Sequence, residues 1–210
     1  MSARAGVTVS ETGFIVRVAE AEPRVRSLRD RFHPVARLGV PAHVTVLFPF
    51  MAPERIDEQT LRTIRAALAG TVGFAFSLSR IGRFPLTAYL APEPVAPFVA
   101  LTEGLARAFP EFPPFGGEFE TIVPHLTVAH GSAPDAEVAH AELARVIATG
   151  GPIHARCDAV ELLENSSGVW RRMHVFPLLR AGAAGRDGRT APRFDDLEEP
   201  GALSRVPRQK

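Results

Sequence analysis

His43-Val44-Thr45-Val46 and His125-Leu126-Thr127-Val128 repeat one pattern 82 positions apart. Each follows a proline by one or two residues and lies in an apolar, alternating run, Val40 to Phe50 and Ile122 to His130. Residues two apart on a strand share a face, so each copy sets an imidazole beside a hydroxyl and turns its aliphatic residues the other way. Imidazoles titrate near neutral pH, and where two converge one can take a proton while the other gives one. Hydroxyls can donate to oxygens on which negative charge develops. Cleaving a phosphodiester or opening a cyclic phosphate uses such a set. A base activates water or a hydroxyl on one side of phosphorus, an acid protonates the leaving oxygen on the other, and donors hold the non-bridging oxygens. No metal is required. The sequence has no His-Glu-x-x-His, and neither copy contains Asp or Glu.

Strands and helices must bring the copies together. Gly13 to Ala19 reads as a strand, and Glu22-Pro23 opens a helix with Val25, Leu28 and Phe32 at helical spacing. After the first histidine strand, a helix is expected from Pro53 to Ala69, with Leu61, Ile64 and Leu68 on one stripe and Gly70 as its stop. Residues 73 to 81 and 86 to 91 read as paired strands around the Gly82 to Pro85 turn. Pro97 to Phe109 is the next helix, then a Pro/Gly loop from Phe112 to Gly117 and the second histidine strand. A helix from Pro134 carries Ala139, Leu143, Val146 and Ile147, and strands at 153 to 163 and 169 to 177 flank the Asn165 to Gly168 turn. An offset of 82 carries Leu61 to Leu143, Ile64 to Val146 and the first strand pair onto the second. The repeat of helix, histidine strand, helix and hairpin implies an α+β fold of two similar lobes, each an antiparallel-rich sheet backed by helices, facing across a groove. Residues 1 to 180 are expected to form this single bilobal domain. Residues 181 to 210, rich in Gly, Ala, Arg, Asp and Pro, are expected to be a disordered tail.

The chain's 210 residues, 46% of them hydrophobic, suffice for a real core, and a net charge of +1 supplies no broad basic field for a long duplex. A nucleic-acid end or a small nucleotide fits better. Cys157 is the only cysteine, which removes any intrachain disulfide and any cysteine-based zinc site. It reads as a small buried hydrophobe. No membrane-spanning run and no signal peptide stand out, so the expectation is a cytoplasmic monomer that uses no membrane and no cofactor.

Two His-x-Thr copies at this spacing, each beside a helix, resemble the two-histidine (2H) phosphoesterase superfamily, in particular its 2′-5′ RNA ligase-like and RNA 2′,3′-cyclic phosphodiesterase branch. The resemblance covers roughly residues 10 to 180. It implies a bilobal pseudo-twofold fold with the copies facing in a central groove, His43 and His125 as the acid/base pair, and Thr45 and Thr127 as phosphate ligands. It also implies hydrolysis of 2′,3′-cyclic phosphate or 2′-5′ linked RNA or nucleotide substrates. In that branch the second histidine is the usual base and the first the acid, although the residues here do not themselves distinguish the roles. Many relatives carry an arginine five residues after the second histidine. This chain has His130 there, a shorter and only conditionally charged candidate phosphate ligand. Competing readings are a nucleotide or RNA-end binding protein that turns nothing over, and a zinc site formed by the histidines. His33, His140 and His154 are expected at the surface, and His174 as a half-exposed sheet residue. Phe48 and Phe50 read as core. For Phe84, Phe115 and Trp170 fold packing is the default, with base stacking the alternative. Arg171-Arg172 reads as a solvated pair.

Overall fold

The computed structural model describes residues 10–118 and 121–180. The expected C-terminal tail lies outside them. The chain runs β1 (Thr12–Arg17), α1 (Glu22–Phe32), β2 (His43–Phe50), α2 (Glu58–Leu68), β3 (Phe74–Phe84), β4 (Thr87–Glu93), α3 (Ala96–Ala108), β5 (Leu126–His130), α4 (Ala133–Gly150), β6 (Ile153–Cys157), β7 (Ala159–Glu164) and β8 (Arg171–Pro177). These strands make two four-stranded antiparallel sheets, ordered β2-β1-β7-β8 and β5-β4-β3-β6. This is the expected α+β architecture of paired sheets backed by helices.

Local chemistry explains where the elements differ from expectation. The second helix begins after Asp57, not at Pro53, because the Asp57 carboxylate accepts the Thr60 backbone N–H at 2.8 Å and so caps the first turn. Pro53–Arg55 forms only a short 3₁₀ turn. The single strand expected over 153 to 163 is two strands in different sheets. Cys157 pairs with Phe74 and Ala159 with Pro177, so the chain changes sheet at Asp158. Burial shifts parity there, from 153, 155 and 157 to 160 and 162.

The two lobes exchange strands between the halves of the chain. The hairpin after the first histidine strand, β3–β4, joins the second histidine strand β5, and β7–β8 joins β1 and β2. Each sheet begins the same way, with the histidine strand at its edge and the strand before the preceding helix beside it.

The two sheets share one core. Phe14 lies 4.9 Å from Phe50, which meets Phe109 at 5.1 Å and Phe112 at 4.9 Å. Phe50 is core as expected. Cys157 is buried, and burial pushes its thiol up to about 12, so it behaves as an inert small hydrophobe. No helix among the described residues is long and apolar enough to cross a membrane.

Candidate active site

Alternation on β2 and β5 does what the sequence pattern requires. Val44, Val46, Leu126 and Val128 are fully or almost fully buried, while His43, Thr45, His125 and Thr127 are half-buried on the opposite face. His125 stands just before β5 begins. The two strands come within 8 Å of each other at their Cα atoms. Two cavities meet between them. One, of about 440 Å³, is lined by His33, His43, Phe48 and Trp170 among others, and the second, of about 570 Å³, by His125, His130, Phe84 and Phe115. Thr45 and Thr127 line both, so the two hydroxyl-bearing residues mark the junction of a single groove.

Each imidazole is held by the same device. His43 Nδ1 lies 2.7 Å from the carbonyl of Pro41, and His125 Nδ1 lies 2.7 Å from the carbonyl of Val123, both two residues upstream. A carbonyl only accepts, so Nδ1 carries the hydrogen in both rings, and in the neutral ring Nε2 keeps its lone pair. Tyr89 and Phe84 pack on His125, with ring centroids at 4.9 and 5.3 Å. Tyr89 lies over Gly82, its β3 partner, where any Cβ would run into the phenol ring.

A buried ion pair on α1 secures the approach to His43. The Arg29 guanidinium donates to the carbonyls of Val40 (2.8 Å) and Pro41 (3.0 Å), and it lies 3.5 Å from the Glu22 carboxylate. Glu22 in turn accepts the Ala42 N–H at 2.6 Å. Thus Pro41 O receives both Arg29 and His43. Sequence reading missed this pair. Its signal was present, since Glu22, Arg29 and His33 lie on the same helical stripe as Val25 and Phe32, where polar residues need partners.

His33 corrects a surface assignment. It is 8% exposed, lines the groove beside His43, and its Nδ1 is enclosed without a hydrogen-bond partner. Burial, aided by the nearby Arg29 charge, drives its pKa down to about 3. Burial likewise brings His43 down to about 4, against the Pro41 hydrogen bond, and holds His125 below its ordinary value by a lesser shift. His130 lines the second cavity, and its Nδ1 lies 2.9 Å from Oγ1 of the buried Thr87.

Among the other flagged residues, Phe48, Phe84, Phe115 and Trp170 all face the groove. His154 is exposed and His140 half-buried, and neither joins the groove. His174 is half-buried near Phe176, away from both cavities. Arg171 pairs with Glu164, and Arg172 lies 3.5 Å from Glu161. Among the described residues no three His, Cys, Asp or Glu side chains converge as metal ligands.

The fold is shared with solved structures. TT0787 of Thermus thermophilus matches with a TM-score of 0.52 at 18% identity, covering 80% of this chain and 97% of that one. E. coli LigT complexed with 3′-AMP matches with a TM-score of 0.51 at 14% identity, covering 81% of this chain and 99% of that one. At such identities the likeness is one of fold. No curated protein sequence matches the chain. The family model for the 2′-5′ RNA ligase superfamily matches residues 18–168, a span that takes in both histidine strands and the helices beside them, and the chain belongs to that superfamily.

Proposed function

We propose that the protein is a metal-independent phosphodiesterase that hydrolyses 2′,3′-cyclic phosphate or 2′-5′ linked RNA or nucleotide substrates. Superfamily membership supports phosphoesterase activity. The observation that carries the finer reading is the matched pair of imidazoles, each with Nδ1 tied to a carbonyl and Nε2 left for proton transfer, on either side of Thr45 and Thr127. In this scheme one Nε2 takes a proton from water as its oxygen bonds to phosphorus. The P–O bond to the ribose oxygen breaks, and the other histidine protonates that oxygen. Thr45 and Thr127 donate to the non-bridging oxygens, and His130, steadied by Thr87, is a further phosphate contact.

The two histidines are not equivalent. His43 is deeper, lies near the Arg29 charge, and is the harder of the two to protonate. This favours His43 as the base and His125 as the acid, the reverse of the order the resemblance implies. An anionic phosphate in the groove favours the imidazolium form, which supplies the acid's proton on binding.

Both H43A and H125A should lose hydrolysis of a 2′,3′-cyclic nucleotide, and the wild-type rate should withstand EDTA. A substrate with a good leaving group, such as a p-nitrophenyl phosphodiester, needs no acid. It should restore turnover in H125A and not in H43A. Full activity of either alanine variant on the cyclic nucleotide would refute the assignment. Rescue of H43A alone would reverse the two roles.

A further inference from the structure

We propose that His33 is a further substrate-contacting residue of the groove, an uncharged imidazole whose Nε2–H donates to a non-bridging oxygen of the phosphate. The inference rests on the phosphodiester reading above and adds a donor that the two repeated strands do not supply.

The groove has to hold an anion without a fixed cation. Among the described residues no arginine or lysine lines either cavity. Hydroxyl and ring N–H donors must do the holding, and Thr45 and Thr127 offer one hydrogen each. His33 lines the same cavity as His43 and both threonines. It is only 8% exposed, a depth at which polar atoms ordinarily have partners. Neither nitrogen of this ring has one. Nδ1 is enclosed, whereas Nε2 is not enclosed and takes no hydrogen bond among the described residues. Nothing holds a hydrogen at Nδ1, as the Pro41 carbonyl does in His43, so it sits on Nε2, the form that neutral imidazole also prefers in water. The open nitrogen of His33 is thus the one that donates.

Folding alone gives no reason for an imidazole at this place. The offset of 82 that carries His43 to His125 carries His33 to Phe115, which lines the other cavity. The second half of the chain thus fills the matching position with an apolar ring. A buried polar ring without partners lowers stability, so its presence in the first half calls for a ligand. The ring is also placed in advance. The His33 N–H donates to the Arg29 carbonyl at 2.8 Å and closes α1, and the His33 carbonyl accepts the Ala36 N–H at 2.9 Å. Phe32, one residue earlier, packs on Ala88, Ala129 and Ala139. Burial, with Arg29, His43 and His130 nearby, keeps the ring uncharged, so it donates without taking the proton that His43 must accept.

Two amides separate the ring nitrogens, because the amide nitrogen of Gln reaches the Nε2 position and that of Asn only the Nδ1 position. The test compares kcat and KM of H33Q, H33N and H33L on a 2′,3′-cyclic nucleotide, together with their melting temperatures. Alongside it, the wild type with ¹⁵N-labelled histidine is titrated with inorganic phosphate and followed by NMR. H33L should lower kcat about 100-fold, the loss typical of one donor to a developing oxyanion, and should melt no lower than wild type. H33N should fall with H33L, and H33Q should stay within about tenfold of wild type. Phosphate should shift the His33 Nε2 resonance while the ring stays uncharged with its hydrogen on Nε2.

An unchanged kcat in H33L, or an H33N as active as H33Q, overturns the assignment. So does a His33 Nε2 resonance that saturating phosphate does not move. The H33Q and H33N pair decides the matter even where H33L folds poorly. A phosphate-dependent shift in a protein that turns over no diester would uphold the contact and remove the catalytic reading. Turnover that needs His43 and His125 but not His33 would leave the catalytic reading in place and remove the contact.

Discussion

Acid should destabilise this fold well above the range in which its carboxylates titrate. His33, buried, and His43, half-buried beneath the groove, are held as neutral rings with pKa values near 3 and 4, whereas in the unfolded chain both titrate near 6.5. Between those values the unfolded state binds protons that the folded state refuses. The stabilisation is therefore complete above about pH 6.5 and is lost as pH falls toward the folded values. From pH 7 to pH 5 each ring gives up roughly 1.5 pH units at about 1.4 kcal/mol per unit, some 2 kcal/mol apiece and about 4 kcal/mol together. That is a large part of the ~5–15 kcal/mol that holds a typical domain. Asp57, Glu142 and Glu164, whose carboxyl pKa values are depressed, lose their contributions at lower pH and leave this window clear. Urea unfolding at pH 7 and pH 5 measures the difference, with H33Q as the internal comparison, because it keeps a polar side chain and removes one titration. The wild type should lose about 4 kcal/mol and H33Q about half of that. Equal stability at the two pH values, or an undiminished loss in H33Q, would show that these imidazoles are not held neutral by burial.

Three further outcomes follow from the site. R29M should cost about 3–5 kcal/mol by leaving Glu22 and the Val40 and Pro41 carbonyls without their buried cation, and it should raise the His43 pKa, read from the imidazole NMR titration. T45V and T127V should each lower kcat on a cyclic nucleotide about 100-fold or more while melting temperature stays close to wild type, provided that the two hydroxyls hold the non-bridging oxygens. H130R gives up the hydrogen bond to Thr87 and places a permanent charge at the rim, so inorganic phosphate should bind about tenfold more tightly by calorimetry.

Period-two alternation was enough to turn His43 and Thr45 on one strand, and His125 and Thr127 on the other, away from the core, because it buries Val44, Val46, Leu126 and Val128. The groove itself, and the two hydroxyls at its centre, thus follow from a pattern any reader of the chain can see. His33 was misplaced for a definite reason: a residue at the end of a helix is usually solvated, and only tertiary packing, with His43 on β2 and His130 on β5 nearby, encloses this one. Trp170, in a turn, and Phe48, on β2, posed the same difficulty, since nothing local tells an aromatic facing a groove from one packed for stability. The division of β6 from β7 was legible after all, in the change of apolar parity around Asp158, but no glycine or proline interrupts residues 153 to 163 to mark it.

The crossing of strands between sheets bears directly on how such a site can work. Two independent lobes would let His43 and His125 drift apart whenever the lobes moved, and proton transfer at one phosphorus does not survive errors of an ångström. Here each sheet contains strands from both halves of the chain and the two sheets share one core, which ties the two histidine strands together. Helix α1 adds a second tie. Its Glu22 and Arg29 fix the segment before His43, while Phe32 packs on Ala88, Ala129 and Ala139 behind the second histidine strand. Arg31 meets Glu142 of α4 at 2.8 Å, and Arg24 donates to the carbonyls of Val146, Gly150 and Gly151 at the end of that helix. The same helix therefore sets the position of both imidazoles. Splitting the chain between β4 and α3 would strip β1 of its β7 partner and β3 of β6, so neither fragment should give a cooperative unfolding transition alone. A mixture of the two fragments should recover it. A fragment that folded by itself would show that the groove is made by two lobes docking rather than by one interleaved core.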